Sequence, residues 1–143
     1  MKKILVSIDG KAASGKEKIA KYIGKKYNLK HLDSGILYRR LAEILLKKNV
    51  NVDNFNHLKR ALKSIEKLSF RKSNNIRTEK ISQISSKIAV YSVVRSFINE
   101  IQREFVKNNQ KYKGFVIDGR DIGSVVFKNA DIKLYIDVNV KNR

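Results

Sequence analysis

The residues best suited to chemistry lie close together near the start of the chain: Gly10-Lys11-Ala12-Ala13-Ser14-Gly15-Lys16 has the spacing G-x-x-x-x-G-K. Glycines let the backbone turn tightly, successive N–H groups form an anion-sized nest, and a lysine at the seventh position reaches the β- and γ-phosphates of a nucleotide. The eighth position departs from the pattern. Glu17, followed by Lys18, stands where a serine or threonine would offer its hydroxyl to magnesium. A carboxylate there favours the helix dipole by a few tenths to about 1 kcal/mol, yet it faces the negative charge of the nucleotide. Weakened or altered Mg-ATP binding is therefore left open.

Such a loop works only between a strand and a helix, and the flanking residues supply both. Ile4-Leu5-Val6-Ser7-Ile8 is a short apolar run ending in Asp9-Gly10, as a buried parallel strand would be, and Ile19, Ala20, Ile23 and Tyr27 follow at helical spacing. The helix begins near Lys16 and aims its positive dipole end at the bound anion. A short strand ending at Leu32-Asp33 comes next, then an amphipathic helix marked by Ile36, Leu37, Leu41, Ile44 and Leu45. Asp53 is placed to cap a third helix with Phe55, Leu58, Leu62, Ile65 and Leu68 on its apolar face. Thr78 and Ser92 are placed to cap two more, carrying Ile81, Ile84 and Ile88 and then Val94, Phe97, Ile98, Ile101 and Phe105. Strand character returns at Phe115-Val116-Ile117, closing on Asp118-Gly119, and again at Ile132 to Val138. Strands at both ends separated by helices predict an α/β fold with a parallel sheet and crossovers.

Composition narrows the function classes. A chain of 143 residues fits one domain with a single core. With no cysteine, disulfides and thiolate metal sites are excluded, and two isolated histidines, His31 and His57, make a poor metal cluster. The apolar run Ile4 to Ile8 is too short for a signal-peptide core or a membrane span, so a soluble, cytoplasmic protein is expected. A formal charge of +19 raises nucleic acid as a partner. Its lysines are scattered over every expected helix, however, and no basic motif interleaved with aromatics stands out, so a solvated cationic surface is the better reading. The same positive field attracts nucleoside phosphates.

Four segments in order give the phosphate loop a narrower context. Ile8-Asp9-Gly10 leading into the loop, Leu32-Asp33-Ser34-Gly35-Ile36-Leu37-Tyr38-Arg39, Ile76-Arg77-Thr78, and Asp118-Gly119-Arg120-Asp121-Ile122-Gly123-Ser124-Val125-Val126-Phe127 together resemble the bacterial cytidylate kinase family, within the P-loop nucleoside monophosphate kinases. The resemblance implies a P-loop kinase-like parallel sheet with flanking helices, a core at about 1–35 and 112–143, and a helical CMP-binding insertion at about 36–111. It implies transfer of the ATP γ-phosphoryl group to CMP or dCMP with Mg2+. Lys16, Asp118 and Arg120 would be catalytic, and Gly10 to Lys16 would bind ATP. Ser34, Arg39, Arg77 and Arg120 would hold the CMP phosphate, with arginine forks suited to paired phosphate oxygens. Ser86, Arg95 and Asp121 would read the base, and Asp118 would order magnesium, indirectly through water.

Family members continue well past Arg143. The resemblance therefore implies that the lid with its arginines, the residues contacting the sugar, the last strand and a terminal helix are absent from this chain. The stretch between Leu68 and Ile76 is short, which implies a reduced β-structured part of the insertion. A missing edge strand would expose Ile132 to Val138 to solvent or to another chain. Three functions stay open at this point: a (d)CMP kinase, a catalytically silent or partner-completed nucleotide-binding domain, and, with least support, a nucleic-acid binder. A monomer is expected, with self-association if the exposed strand pairs.

Overall fold

Residues 3–138 are described by the computed structural model. Asn139 to Arg143, the last part of the terminal stretch considered above, lie outside the described residues. The apolar run before the phosphate loop forms β1 (Ile4–Gly10), and the helix after it is α1 (Lys16–Tyr27), followed by β2 (Lys30–Asp33). Then come α2 (Ser34–Lys47), α3 (Phe55–Lys63), α4 (Glu79–Ile88) and α5 (Ser92–Asn108). The chain returns to strand in β3 (Gly114–Gly119) and β4 (Ile132–Ile136).

All strand pairs are parallel, in the order β2-β3-β1-β4. Register sets Ile8 beside Asp118 and Asp9 beside Gly119, and Asp33 also lies beside Asp118. The carboxyl ends of β1 and β3, where parallel sheets bind ligands, thus carry the phosphate loop and the Asp118 motif side by side.

Among the described residues there are two compact units: Gly35–Ile101 form one, and 3–34 with 102–138 form the other. The strand unit packs Val6, Ile8, Val116 and Leu29 against Ala20, with Ile19, Ile23, Leu134 and Ile136 around them. In the helical unit Leu41, Leu45, Leu58, Ile76, Ile88, Val94 and Ile98 form the core. The family resemblance implies an insertion that ends near 111, whereas the compact units divide inside α5, after Ile101. The physical reason is side-chain packing. Gln102 accepts a hydrogen bond from the Ser34 hydroxyl, Arg103 donates to the Val126 carbonyl at 3.0 Å, and the Phe105 ring lies edge-on to Phe115 at 6.3 Å.

Two expected caps move by one residue. Asn54, not Asp53, caps α3, its side chain accepting from the His57 N–H at 3.1 Å. Asp53 instead pairs with Lys87 at 2.9 Å. At α5 the Tyr91 carbonyl takes the first helical hydrogen bonds, from Val94 and Arg95, so Ser92 is the first helical residue rather than its cap. Thr78 caps α4 as expected, accepting from the Ile81 N–H at 3.2 Å. Helix α3 ends at Lys63, so Ile65 and Leu68 join the core from beyond its end.

Candidate active site

Gly10 ends β1 where space is tight: a Cβ there would lie 2.8 Å from both the Ile136 carbonyl and the Ser14 hydroxyl. Gly15, immediately before α1, has φ +88°, a left-handed conformation that glycine adopts at no steric cost. Ala13 also turns left-handed, at φ 62°. The loop closes on itself through the Ser14 N–H to the Lys11 carbonyl at 3.2 Å, and Ile19 N–H bonds the Gly15 carbonyl at 3.2 Å as the helix starts. Lys16 arches back, its ammonium donating to the Lys11 carbonyl at 3.2 Å. The Ser14 hydroxyl is buried, with no hydrogen-bond partner among the described residues. Glu17 turns aside along the helix to pair with Lys21 at 3.3 Å, an i,i+4 pairing that offsets part of its charge near an anion.

Asp118 closes the other side of this strand pair and is 1% exposed. His31 Nε2 lies 2.9 Å from its Oδ1. Beyond it Asp121 is left-handed, at φ 57°, and opens a single π-helical turn, Ile122–Val126. Asp9 anchors that turn: its two carboxylate oxygens accept from the Ile122 N–H at 2.6 Å and the Gly123 N–H at 3.0 Å. One carboxylate thereby satisfies two N–H groups that a helix start leaves without intrahelical partners. Arg120 and Asp121 are exposed on the short segment between these anchors.

Ser34 is buried, 4% exposed, and its hydroxyl donates to Gln102. A serine has one O–H to give, so while that bond stands the oxygen can only accept. Arg39, Arg77, Ser86 and Arg95 belong to the helical unit. Arg39 is half-buried on α2, while Arg77, Ser86 and Arg95 are exposed. Ser86 lines an open groove of about 410 Å³ with Val52, Lys80, Gln83, Ile84 and Lys87. Arg95 donates through Nη1 to the Ala89 and Val90 carbonyls at 3.0 and 2.7 Å, holding the C-terminal end of α4 as cations do at such ends.

Sequence reasoning missed three groups. Asp9 appeared there only as part of a motif, His31 only as an isolated histidine, and Gln102 not at all. A polar residue on an otherwise apolar strand or helix face signals each, but its partner lies 113, 87 or 68 residues away.

Magnesium can be tested against the donors present. Among the described residues no three His, Cys, Asp or Glu side chains gather to hold a metal. Mg2+ is ordinarily bound by one or two carboxylates together with substrate phosphates and water, and a single buried carboxylate beside a phosphate loop fits that mode. No helix of the described residues is long and apolar enough to cross a membrane.

A family model described as cytidylate kinase matches residues 6–143. A cytidylate kinase of Fusobacterium nucleatum is 38% identical over all of this chain and 68% of its own length. One from Bartonella tribocorum is 40% identical, again over all of this chain and 65% of its own. The chain thus spans about two thirds of the length of these curated relatives. Among solved structures, the crystal structure of TT1252 from Thermus thermophilus matches 99% of this chain and 69% of its own, with a TM-score of 0.54 at 15% identity. That likeness concerns the fold alone.

Proposed function

The chain belongs to the cytidylate kinase family, and from that premise we propose that it transfers the γ-phosphoryl group of ATP to CMP or dCMP, giving ADP and CDP or dCDP in cytoplasmic pyrimidine nucleotide metabolism. The observation that carries this reading is the phosphate loop on β1 with the buried Asp118 on the adjacent parallel strand.

The acceptor nucleophile is already a phosphate oxygen, so no strong base is required. Catalysis comes from aligning donor and acceptor and neutralising charge on the transferring group. The acceptor oxygen bonds to the γ-phosphorus as the bond to the β-phosphate oxygen breaks, and ADP leaves with that electron pair. In this reading the loop N–H groups from Gly10 to Lys16 bind the ATP phosphates, and Lys16 exchanges its bond to the Lys11 carbonyl for phosphate oxygens. Arg120 places a guanidinium at the transferring group. Arg39 and Arg77 hold the CMP phosphate, with Ser34 contributing once its hydroxyl turns from Gln102. Ser86, Arg95 and Asp121 read the base, whose amino donor and ring acceptors call for an acid together with donors. Arg95 does so by releasing or sharing the carbonyls it caps. Asp118 would hold Mg2+ through water, and Mg2+ when bound supplies charge neutralisation at the phosphates.

A coupled assay of ADP release with CMP, dCMP, UMP and AMP tests the reading. Turnover with the cytidine acceptors well above the others supports it, and a folded protein with no turnover on any acceptor overturns it. One observation favours a second reading, a nucleotide-binding domain that does not transfer phosphate: Glu17 and Lys18 leave no hydroxyl where magnesium is usually met. Calorimetric binding of CMP and ADP without ADP formation from ATP would select it.

A further inference from the structure

His31 has no task in the reactions above, yet it touches their most buried carboxylate. Its place follows from strand geometry. In the β2–β3 ladder His31 pairs with Val116, and side chains two apart on a strand share a face, so His31 reaches Asp118 one pleat further along. Nε2 lies 2.9 Å from Oδ1, with the Asp118 side chain 2% exposed and the imidazole 16% exposed. A carboxylate so removed from water requires a donor, and because it only accepts, Nε2 carries the proton.

Helix α1 passes close to the base of the His31 side chain. Gly24 of α1 is buried against it: a Cβ at Gly24 would lie 3.6 Å from His31 Cβ and 3.4 Å from Val116 Cγ1. Engaging Oδ1 leaves Oδ2 and a remaining lone pair of Oδ1 for other partners.

We propose that His31 is a positioning residue for Asp118, fixing the orientation in which that carboxylate serves a nucleotide-bound divalent cation. The proposal rests on the reading of Asp118 as the carboxylate that orders magnesium. Groups that orient a metal-serving carboxylate typically change metal affinity or activity by about 10- to 100-fold when removed, whereas a histidine that merely fills space changes stability alone.

Calorimetry separates these roles. ADP affinity is measured with Mg2+ and again with EDTA for the full chain and for His31→Leu, His31→Asn and His31→Gln, with thermal unfolding and CMP-dependent ADP formation followed alongside. The expected result is that His31→Leu lowers the Mg2+ enhancement of ADP binding by about tenfold and leaves the EDTA affinity within about twofold. His31→Asn, polar but too short to reach the carboxylate, shows the same loss and serves where the leucine variant does not fold. His31→Gln, which can still donate, restores most of the enhancement.

An unchanged enhancement in the leucine or asparagine variant, or no enhancement in the parent protein, overturns the assignment. Failure of the kinase reading looks different. It appears as absent CMP-dependent turnover in a parent protein whose ADP binding remains sensitive to Mg2+ and to His31→Leu, and the assignment then stands.

Discussion

The strand unit and the helical unit hold their candidate residues in opposite ways. Around the phosphate loop, polar groups are fixed by buried or half-buried partners: Asp9 by the Ile122 and Gly123 N–H groups, Asp118 by His31, and Ser34 by Gln102. In the helical unit an apolar core centred on Leu41, Leu45, Leu58 and Ile98 does the holding. Most of its candidate residues, Arg77, Ser86 and Arg95, stand on the surface. The contrast teaches where preorganisation lies. In the proposed reading, the phosphates of a nucleoside triphosphate would meet backbone N–H groups already set in place, while the long arginines would adopt their binding geometry at a larger entropic cost.

The largest expected effect comes from removing the cation of the fixed region. Lys16→Ala should lower kcat by about three orders of magnitude or more in the coupled assay, with little change in melting temperature. A loss confined to KM would break the contrast, because it would make Lys16 a binding group only. Next in size is the core of the other unit: Leu58, fully buried, should cost about 2–5 kcal/mol when changed to alanine, read by urea unfolding.

Asp9→Ala should affect both stability and rate. Removing the acceptor of two N–H groups should destabilise by about 2–3 kcal/mol and also lower kcat, since the segment carrying Arg120 and Asp121 loses the anchor that follows it. A stability loss without a rate effect would detach that turn from catalysis. Arg95→Ala separates a structural role from a functional one. Release of the Ala89 and Val90 carbonyls should cost about 0.5–1 kcal/mol, whereas a base-reading role adds a rise in KM for CMP of about tenfold that leaves KM for ATP unchanged. The smallest effect distinguishes two neighbours: Asn54→Ala should cost about 1 kcal/mol, and Asp53→Asn less than about 1 kcal/mol, because its pairing with Lys87 is exposed.

Local signals carried much of this architecture. The phosphate loop, the strands around it and the Thr78 cap depend on neighbours within a few positions, so residue type and period suffice. Asp53 and Asn54 show the limit of that logic, since either can cap and the backbone decides between them. Tyr91 supplies only a carbonyl at the start of α5, which any residue can do, so the nearby serine gave a false cue. The contacts of Asp9, His31 and Ser34 lay beyond reach for a different reason. Each depends on the register of parallel strands or on the packing of α5, and that geometry exists only once segments far apart in the chain have come together. The π-helical turn after Asp118 likewise follows from an anchor on another strand rather than from its own residues.

Phosphoryl transfer between two nucleotides is observed directly by phosphorus NMR of the protein with ATP, CMP and Mg2+. The γ-phosphate signal of ATP and the CMP signal should decline together as the paired signals of ADP and CDP grow, with no inorganic phosphate. A folded protein that leaves the spectrum unchanged, or that converts ATP to ADP and inorganic phosphate with CMP untouched, would contradict it.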